Sequence, residues 1–476
     1  MIELNTILWL IVAALHLAVV LRAVLLEGRD SYARAAWLLL LIALPVLGVI
    51  LYLLFGEPWI SSGLRDRGRR AYDALLPFAP RPAERGDAAF AANAFRTFEA
   101  ASGWPASVGN TGRIAPDSDA AIAMLVADID AATQSVHLSF YIWLADNNGM
   151  KVVEAVCRAA RRGVTCRIVA DAIGSRALIR SDPWSAMRDA GARLCSSLQA
   201  PLGLGFLVGH RTDLRNHRKI AVIDGHVTYC GSQNCADPAF LVKRSFAPWV
   251  DILVRFEGPV ARQADLIFAS AWTLETGEDL RPVMAVDPPQ PAADGFVAIA
   301  AGTGPLSPGG TMTDMFVATL AVAQESATIT TPYFAPDPPL ISAIVAAARR
   351  GVAVRIVFPR RNDNRIVGAI GRAYYPVLAR AGVRIFEYGG GLLHAKTIAV
   401  DDRLALIGSS NMDRRSLDLN FENNILFESR ELATQLREHQ QRWLADAIEI
   451  DRGGAASRSI ARRFVDNLLT MIAPLF

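Results

Sequence analysis

Two short stretches of this sequence carry residues that could do chemistry together: His217, Lys219 and Asp224 in one, His394, Lys396 and Asp401 in the other. Both read H-x-K-x(4)-D. With seven histidines in 476 residues and lysine scarcer still, chance supplies roughly 0.06 His-x-Lys pairs, before an aspartate is required five residues on. Lysine occurs only as Lys151, Lys219, Lys243 and Lys396 among 49 basic residues. A chain that defaults to arginine yet places lysine at both motif positions selects a compact point charge, suited to one phosphate oxygen, over a planar fork. An imidazole beside an ammonium suits nucleophilic and acid/base work on an anionic ester.

The alternation at 219–223 and 396–400 predicts strands, so residues two apart share a face and each histidine stands beside its lysine. Asp224-Gly225 and Asp401-Asp402 then fall where a hairpin turns back into strands at 226–230 and 404–407. The two aspartates belong to the catalytic motif by spacing, and their position favours shaping the turn over touching substrate. After each hairpin comes Gly-Ser-x-Asn, at 231–234 and 408–411. Glycine permits close backbone approach, and Ser232, Asn234, Ser409 and Asn411 offer neutral donors to a phosphate. One carboxylate follows in each half, Asp251 and Glu422. A buried carboxylate accepting Nδ1–H from a histidine sets its tautomer and leaves Nε2 free. The expectation is that each serves its own half, Asp251 orienting His217 and Glu422 orienting His394.

The elements that must position these groups are themselves repeated. Residues 159–169 read AARRGVTCRIV and residues 347–357 read AARRGVAVRIV. Around each copy run a strand (136–142; 327–333), a helix (151–160; 340–348) and a second strand (165–170; 353–358). Paired arginines followed by glycine suit a helix C-terminus and its left-handed cap. The fold class is therefore α/β: two duplicated domains, 114–285 and 286–450, each a mixed β-sheet flanked by helices.

Ahead of them, residues 5–26 and 35–55 are almost wholly apolar and near the roughly 20 residues that cross a bilayer core. They predict an N-terminal membrane hairpin over 1–58, then a linker with short helices over 59–113. The alternative, on account of His16 and Arg22 in the first stretch and Pro45 and Gly48 in the second, is interfacial or re-entrant segments. Two crossings return the body to the side of the N-terminus. Arg65, Arg67, Arg69 and Arg70 outnumber Arg29 and Arg34 in the connecting loop, which leans toward a cytoplasmic body. Residues 451–476 predict an amphipathic helix with Arg458, Arg462 and Arg463 beside Ile460, Phe464, Leu468, Leu469, Ile472 and Leu475, suited equally to anionic lipid and to packing against the body. The apolar, glycine-rich run 202–208 could assist access from the bilayer. A net charge of +3 is too small to argue for nucleic acid as partner. The five cysteines form no ligand cluster or disulfide framework, and no metal or cofactor is expected.

Duplicated H-x-K-x(4)-D coupled to Gly-Ser-x-Asn resembles the phospholipase D superfamily. The amino-terminal segment is similar to that of bacterial cardiolipin synthases, on Ala36-Trp37-Leu38, Leu44-Pro45, Gly48 and Tyr52-Leu53-Leu54-Phe55-Gly56. The resemblance implies a metal-independent, two-step transfer through a phosphohistidine, with His217 as nucleophile and His394 as acid/base. It implies an inner-membrane phosphatidyltransferase converting two molecules of phosphatidylglycerol to cardiolipin and glycerol. A phospholipase D hydrolase or another phosphatidyltransferase would differ only in the acceptor. A nuclease of the superfamily fits less well, since it has no use for the hairpin and needs a basic groove.

Overall fold

The computed structural model describes residues 4–26, 31–56, 60–82, 90–198, 214–286, 289–451, 453 and 459–472. The 202–208 run, Arg29, Arg458 and Leu475 lie outside the described residues. The body is built on β1 (Ser107–Ile114), β2 (Ser135–Phe140), β3 (Thr165–Asp171), β4 (Arg193–Ser197), β5 (Arg215–Asn216), β6 (Lys219–Ile223), β7 (Val227–Gly231), β8 (Trp249–Val250) and β9 (Leu253–Glu257). Its second half repeats the plan with β10 (Phe296–Thr303), β11 (Ser326–Thr330), β12 (Phe334–Ala335), β13 (Ala353–Pro359), β14 (Arg384–Tyr388), β15 (Leu392–Leu393), β16 (Thr397–Val400), β17 (Leu404–Gly408), β18 (Met412–Asp413), β19 (Asn420–Glu428) and β20 (Ala447–Glu449).

The long strands form one continuous sheet, ordered β20-β14-β13-β11-β16-β17-β19-β10-β1-β9-β7-β6-β2-β3-β4. Read outward from the central β10–β1 pair, the two sides follow one plan. In each half the two βαβ crossovers give parallel pairs (β2–β3–β4 and β11–β13–β14), and the motif hairpin joins them antiparallel. Strands covered on both faces read as continuous apolar runs, as β6 and β17 do. The helix Pro259–Thr276 is buried from Pro259 through Trp272 against the seam. The largest core cluster runs across both halves, from Phe98 and Phe256 to Phe427 and Trp443.

Residues 59–113 are more than the expected linker. The helix Ala92–Ser102 buries Phe95 and Phe98, and β1 pairs with both β10 and β9 at the centre of the sheet. Glycine and asparagine at 109–112 dilute the alternation that would have marked this strand, while its neighbours on both sides supply the burial.

At the N-terminus, helix α1 (Leu4–Leu25) is long and apolar enough to cross a membrane. The second apolar stretch is not a single helix. It divides into α2 (Ser31–Ala43), α3 (Pro45–Leu51) and a π-helical turn, Tyr52–Gly56. Proline denies its predecessor helical geometry, and Leu44 breaks out at φ −133°, ψ 72°. The chain then doubles back so closely that a Cβ on Gly48 would lie 2.7 Å from the Leu40 carbonyl oxygen, an approach only glycine allows. Val19 and Ala23 of α1 pack with Trp37, Leu41 and Tyr52 of this broken unit.

Candidate active site

The two motif histidines meet in one cavity of about 380 Å³ at the junction of the halves, lined among others by Tyr141, Asn234, Trp249, Tyr333, Asn411 and Asp413. Both rings are buried. Each is delivered by a short strand that pairs with the opposite half. β5 runs parallel to the start of β19, and His217 N donates to Phe421 O at 2.9 Å. β15 runs parallel to β8, and His394 N donates to Val250 O at 2.8 Å.

This exchange crosses the carboxylates. His217 Nδ1 donates to Glu422 Oε1 and Oε2 at 3.0 and 2.9 Å. His394 Nδ1 donates to Asp251 Oδ1 at 2.6 Å. The expected pairing of Asp251 with His217 and Glu422 with His394 is therefore reversed. The physical reason is that the strand carrying each histidine needs an edge to pair with, and the edge available belongs to the other half. Sequence spacing ranks partners by nearness along the chain and has no view of that edge.

Buried imidazoles resist protonation. His217 and His394 are both pushed down to about 4, burial being the largest cause, with the nearby lysines adding to it and the carboxylates opposing it. Both rings are accordingly neutral near pH 7, with Nε2 as the free nitrogen. Burial would push the two carboxyls up, but the histidine each one faces, with its hydrogen bond, holds Asp251 and Glu422 below the usual carboxylate range.

Lys219 Nζ donates to His217 O at 2.8 Å and Lys396 Nζ to His394 O at 2.6 Å, so each ammonium is fixed beside its histidine with two N–H groups left over. Burial lowers Lys219 to about 8 and Lys396 to about 7. Two neutral imidazoles in one cavity, each with a lysine ammonium held beside its backbone, form a receptor for a phosphodiester anion.

The other candidates divide. Asn234 and Asn411 line the cavity. Asn411 Oδ1 is buried without a hydrogen-bond partner, while its Nδ2 donates to Ser416 Oγ at 3.3 Å. Ser232 and Ser409, expected to bind phosphate, instead brace the carboxylates. Ser409 Oγ donates to Glu422 Oε2 and accepts from Asn423 N at 2.9 Å. Ser232 Oγ accepts from Ile252 N at 3.0 Å and bonds Asp251. The preceding glycine serves the same strand. A Cβ on Gly231 would lie 2.2 Å from Ile252 O, so its close approach is to the carboxylate-bearing segment rather than to a ligand.

Asp224 and Asp401, grouped with the catalytic residues by motif, lie at the far end of their strands. Asp224 adopts φ 51° and accepts from the backbone N–H of Thr133, Gln134 and Ser135, each at 2.8 Å. Asp401 adopts φ 52° and accepts from Gln324, Glu325 and Ser326 at 2.7 to 2.9 Å. Each ties the turn of the motif hairpin to the start of the neighbouring antiparallel strand, β2 or β11.

Sequence reasoning missed several lining residues. Tyr141 stands edge-on to His217 at 4.9 Å and Tyr333 edge-on to His394 at 6.4 Å. They lie just beyond the first strand of each repeat and one position out of register with each other, Tyr141 falling opposite Pro332 and Tyr333 opposite Ile142, so the repeat did not mark them as a pair. Asp413, raised to about 6 chiefly by burial, and Trp249, whose ring centre is 4.7 Å from that of His394, carry no duplicated signal.

Comparison with known proteins agrees with this geometry. The family described as "Cardiolipin synthase, PLD-like domain" matches residues 125–272 and 316–444, and one described as "Phospholipase_D-nuclease N-terminal" matches residues 7–57. A protein named cardiolipin synthase A from Escherichia fergusonii is 34% identical over 481 aligned positions, covering 98% of this chain and 96% of that one. The chain belongs to the cardiolipin synthase family. The cardiolipin synthase A of Klebsiella pneumoniae strain 342 matches at the same identity and coverage. This family member therefore is a phosphatidyltransferase enzyme of the phospholipase D superfamily, and α1 fits its association with a membrane. In fold it is similar to a crystal structure of phosphatidylserine synthase from Haemophilus influenzae Rd KW20, with a TM-score of 0.55 and 15% identity, covering 80% of this chain and all of that one.

Proposed function

We propose that this enzyme joins two phosphatidylglycerol molecules into cardiolipin, releasing glycerol. The reading is carried by two neutral histidines in one cavity, each held by a carboxylate from the opposite half. His217 Nε2 attacks the phosphorus of the first lipid, forming an N–P bond as the P–O bond to the head-group glycerol breaks. His394 gives that oxygen a proton. It holds one because a diester anion against its face favours the charged imidazolium. Lys219 and Lys396, with Asn234 and Asn411, take up the charge on the phosphorane oxygens. A hydroxyl of the second lipid then attacks, returns a proton to His394 and breaks the N–P bond. His217 is the better nucleophile because both oxygens of Glu422 stabilise the positive charge its ring acquires.

Incubating the purified full chain with head-group-labelled phosphatidylglycerol tests this. One glycerol released per cardiolipin formed is the expected result. Phosphatidic acid as the main product would make the chain a hydrolase instead.

For the membrane segment, we propose a cytoplasmic body at the inner membrane, carried by α1 as the crossing helix. At 13 residues α2 extends only about 20 Å, short of a bilayer core of ~30 Å, and α3 folds back on it. A re-entrant second arm leaves Arg29, Arg34, Arg65, Arg67, Arg69 and Arg70 all on one face, as the positive-inside rule favours. A multi-pass hairpin puts the first two opposite the rest. Membrane-impermeant maleimide labelling of Arg29→Cys and Arg65→Cys in right-side-out and inverted vesicles distinguishes them: same-side labelling supports the re-entrant arm, opposite-side labelling the hairpin.

A further inference from the structure

The C-terminal helix Ile460–Ile472 is amphipathic in the expected sense and mounted the wrong way round. At 100° per residue, Arg462, Asp466, Leu469 and Thr470 share one face, and Ile460, Phe464, Leu468 and Met471 share the opposite one. The polar face is the one turned to the body. Asp466 is 6% exposed, and Leu469 packs on Ile370 and Ala335. Phe464, Leu468 and Met471 remain 69%, 50% and 63% exposed, with Ile460 at 85%. Water does not select an outward row of this kind, and contiguous exposed apolar surface of this sort marks a covered face.

What covers it is indicated by its surroundings. The helix docks on the helix Arg365–Ala373, which also reaches the catalytic cavity: Asn364, its cap, and Val367 line that cavity. Ile366, between them, is 43% exposed. Across the mouth, the 3-10 segment Leu241–Phe246 from the first half presents Leu241 and Val242, both about two-thirds exposed. Lys243 Nζ, reaching across to Asp363 at 2.5 Å, and Arg361 over the Phe246 ring tie the two sides together. Exposed Arg244, Arg361, Arg365 and Arg463 are interspersed. Apolar tips among arginines, continuous with the mouth of a cavity for lipid head groups, match the surface of an anionic bilayer.

We propose that the outward face of helix Ile460–Ile472, with Leu241, Val242 and Ile366, is a membrane-docking surface that seats the cavity mouth on anionic lipid. It is a second attachment, separate from α1, and it rests on the lipid-transfer reading only for its purpose. Seated this way, a phosphatidylglycerol head group passes from the leaflet to His217 and His394 without its acyl chains leaving the bilayer.

The test uses the full chain reconstituted in vesicles of phosphatidylglycerol and phosphatidylcholine, with Leu468→Cys carrying an environment-sensitive fluorophore. The expected result is a blue-shifted emission quenched by nitroxide-labelled lipid, weakened by Arg365→Ser/Arg463→Ser and in pure phosphatidylcholine. Emission of a water-exposed probe in the anionic vesicles would overturn the proposal. So would a blue shift that appears in detergent and grows with protein concentration, since a second copy would then be the cover. This readout does not depend on turnover, so it stands apart from the assignment of the reaction. Kinetically, Phe464→Ser/Leu468→Ser should raise the apparent KM for vesicle phosphatidylglycerol about tenfold while leaving turnover of a monodisperse short-chain analogue unchanged. An equal loss on both substrates would point to a merely structural helix.

Discussion

The two catalytic units share their motifs and their fold, yet they hold their histidines differently. His217 is gripped by both oxygens of Glu422, a carboxylate that is itself fixed by Ser409 and by Asn420 Nδ2 at 3.3 Å. His394 rests on one oxygen of Asp251 at 2.6 Å, a carboxylate braced by Ser232 but, among the described residues, with no counterpart of Asn420, and Trp249 is tilted against its ring. The lysines differ in the same direction, Lys396 being lowered to about 7 and Lys219 only to about 8. The longer glutamate with its added brace makes a stiff mount, which suits a ring that must form and break a bond to phosphorus along one line. A single short hydrogen bond and an easily neutralised lysine suit a group that passes a proton outward and then inward. Equal sequence motifs have been given unequal tasks by the residues that surround them.

The largest expected effect breaks the comparison outright. His217→Ala and His394→Ala should each reduce transfer by about 10⁴-fold or more, read as cardiolipin formed per enzyme. With a phosphodiester whose leaving group needs no acid, His394→Ala should still accumulate a phosphohistidine on His217, detectable by mass spectrometry. A covalent adduct in His217→Ala instead would exchange the two roles.

Next come the crossed carboxylates. Glu422→Gln and Asp251→Asn should each lower kcat by about 10²- to 10⁴-fold, because the amide can stabilise the wrong tautomer. The decisive measurement is the pairing. Glu422→Gln should add little to His217→Ala, and Asp251→Asn little to His394→Ala, because each pair acts as a unit. Non-additivity in the same-half combinations would mean that the crossing is not catalytically relevant.

The pH profile should separate the lysines from the histidines. On the alkaline side kcat/KM should decline above about pH 7 to 8 as Lys396 and then Lys219 lose their protons. The limb in kcat should lie higher, because a bound phosphodiester anion favours the charged ammonium. On the acid side, the folded chain holds the histidines at about 4 against an ordinary 6.5, so it binds fewer protons than the unfolded chain between these values. Stability contributed by these sites is full above pH 6.5 and falls as pH drops toward 4, which chemical denaturation at a series of pH values would register.

The smallest effect belongs to the outlying aspartates. Asp224→Ala and Asp401→Ala should each cost about 1–2 kcal/mol of stability, since each leaves three backbone donors without their carboxylate. Turnover per folded molecule should change less than threefold. A loss comparable to that at the histidines would return these residues to the chemistry.

Much of this was legible in the chain. The α/β repeat, the alternation at 219–223 and 396–400 and the turn role of Asp224 and Asp401 are local consequences of periodicity and backbone geometry. The partner of each histidine was not, because β5 and β15 are two-residue strands whose pairing depends on which edge another 200 residues bring near. β1 was hidden for the opposite reason, its own residues being uninformative while its burial comes from β9 and β10. Pro45 and Gly48 marked the second apolar stretch for an interruption, and the break at Leu44 is the form it takes.

The β1–β10 seam has one further consequence. β1 pairs with β10 of the second half on one side and β9 of the first on the other, with one register shift between Ser107 and Asn110. Parting the halves like a clamshell to admit two bulky lipids would cost that pairing. Entry and exit must therefore be managed at the rim, by movement of segments such as Leu241–Phe246. A cross-link from residue 243 to residue 363 should then arrest turnover while leaving a preformed covalent intermediate intact.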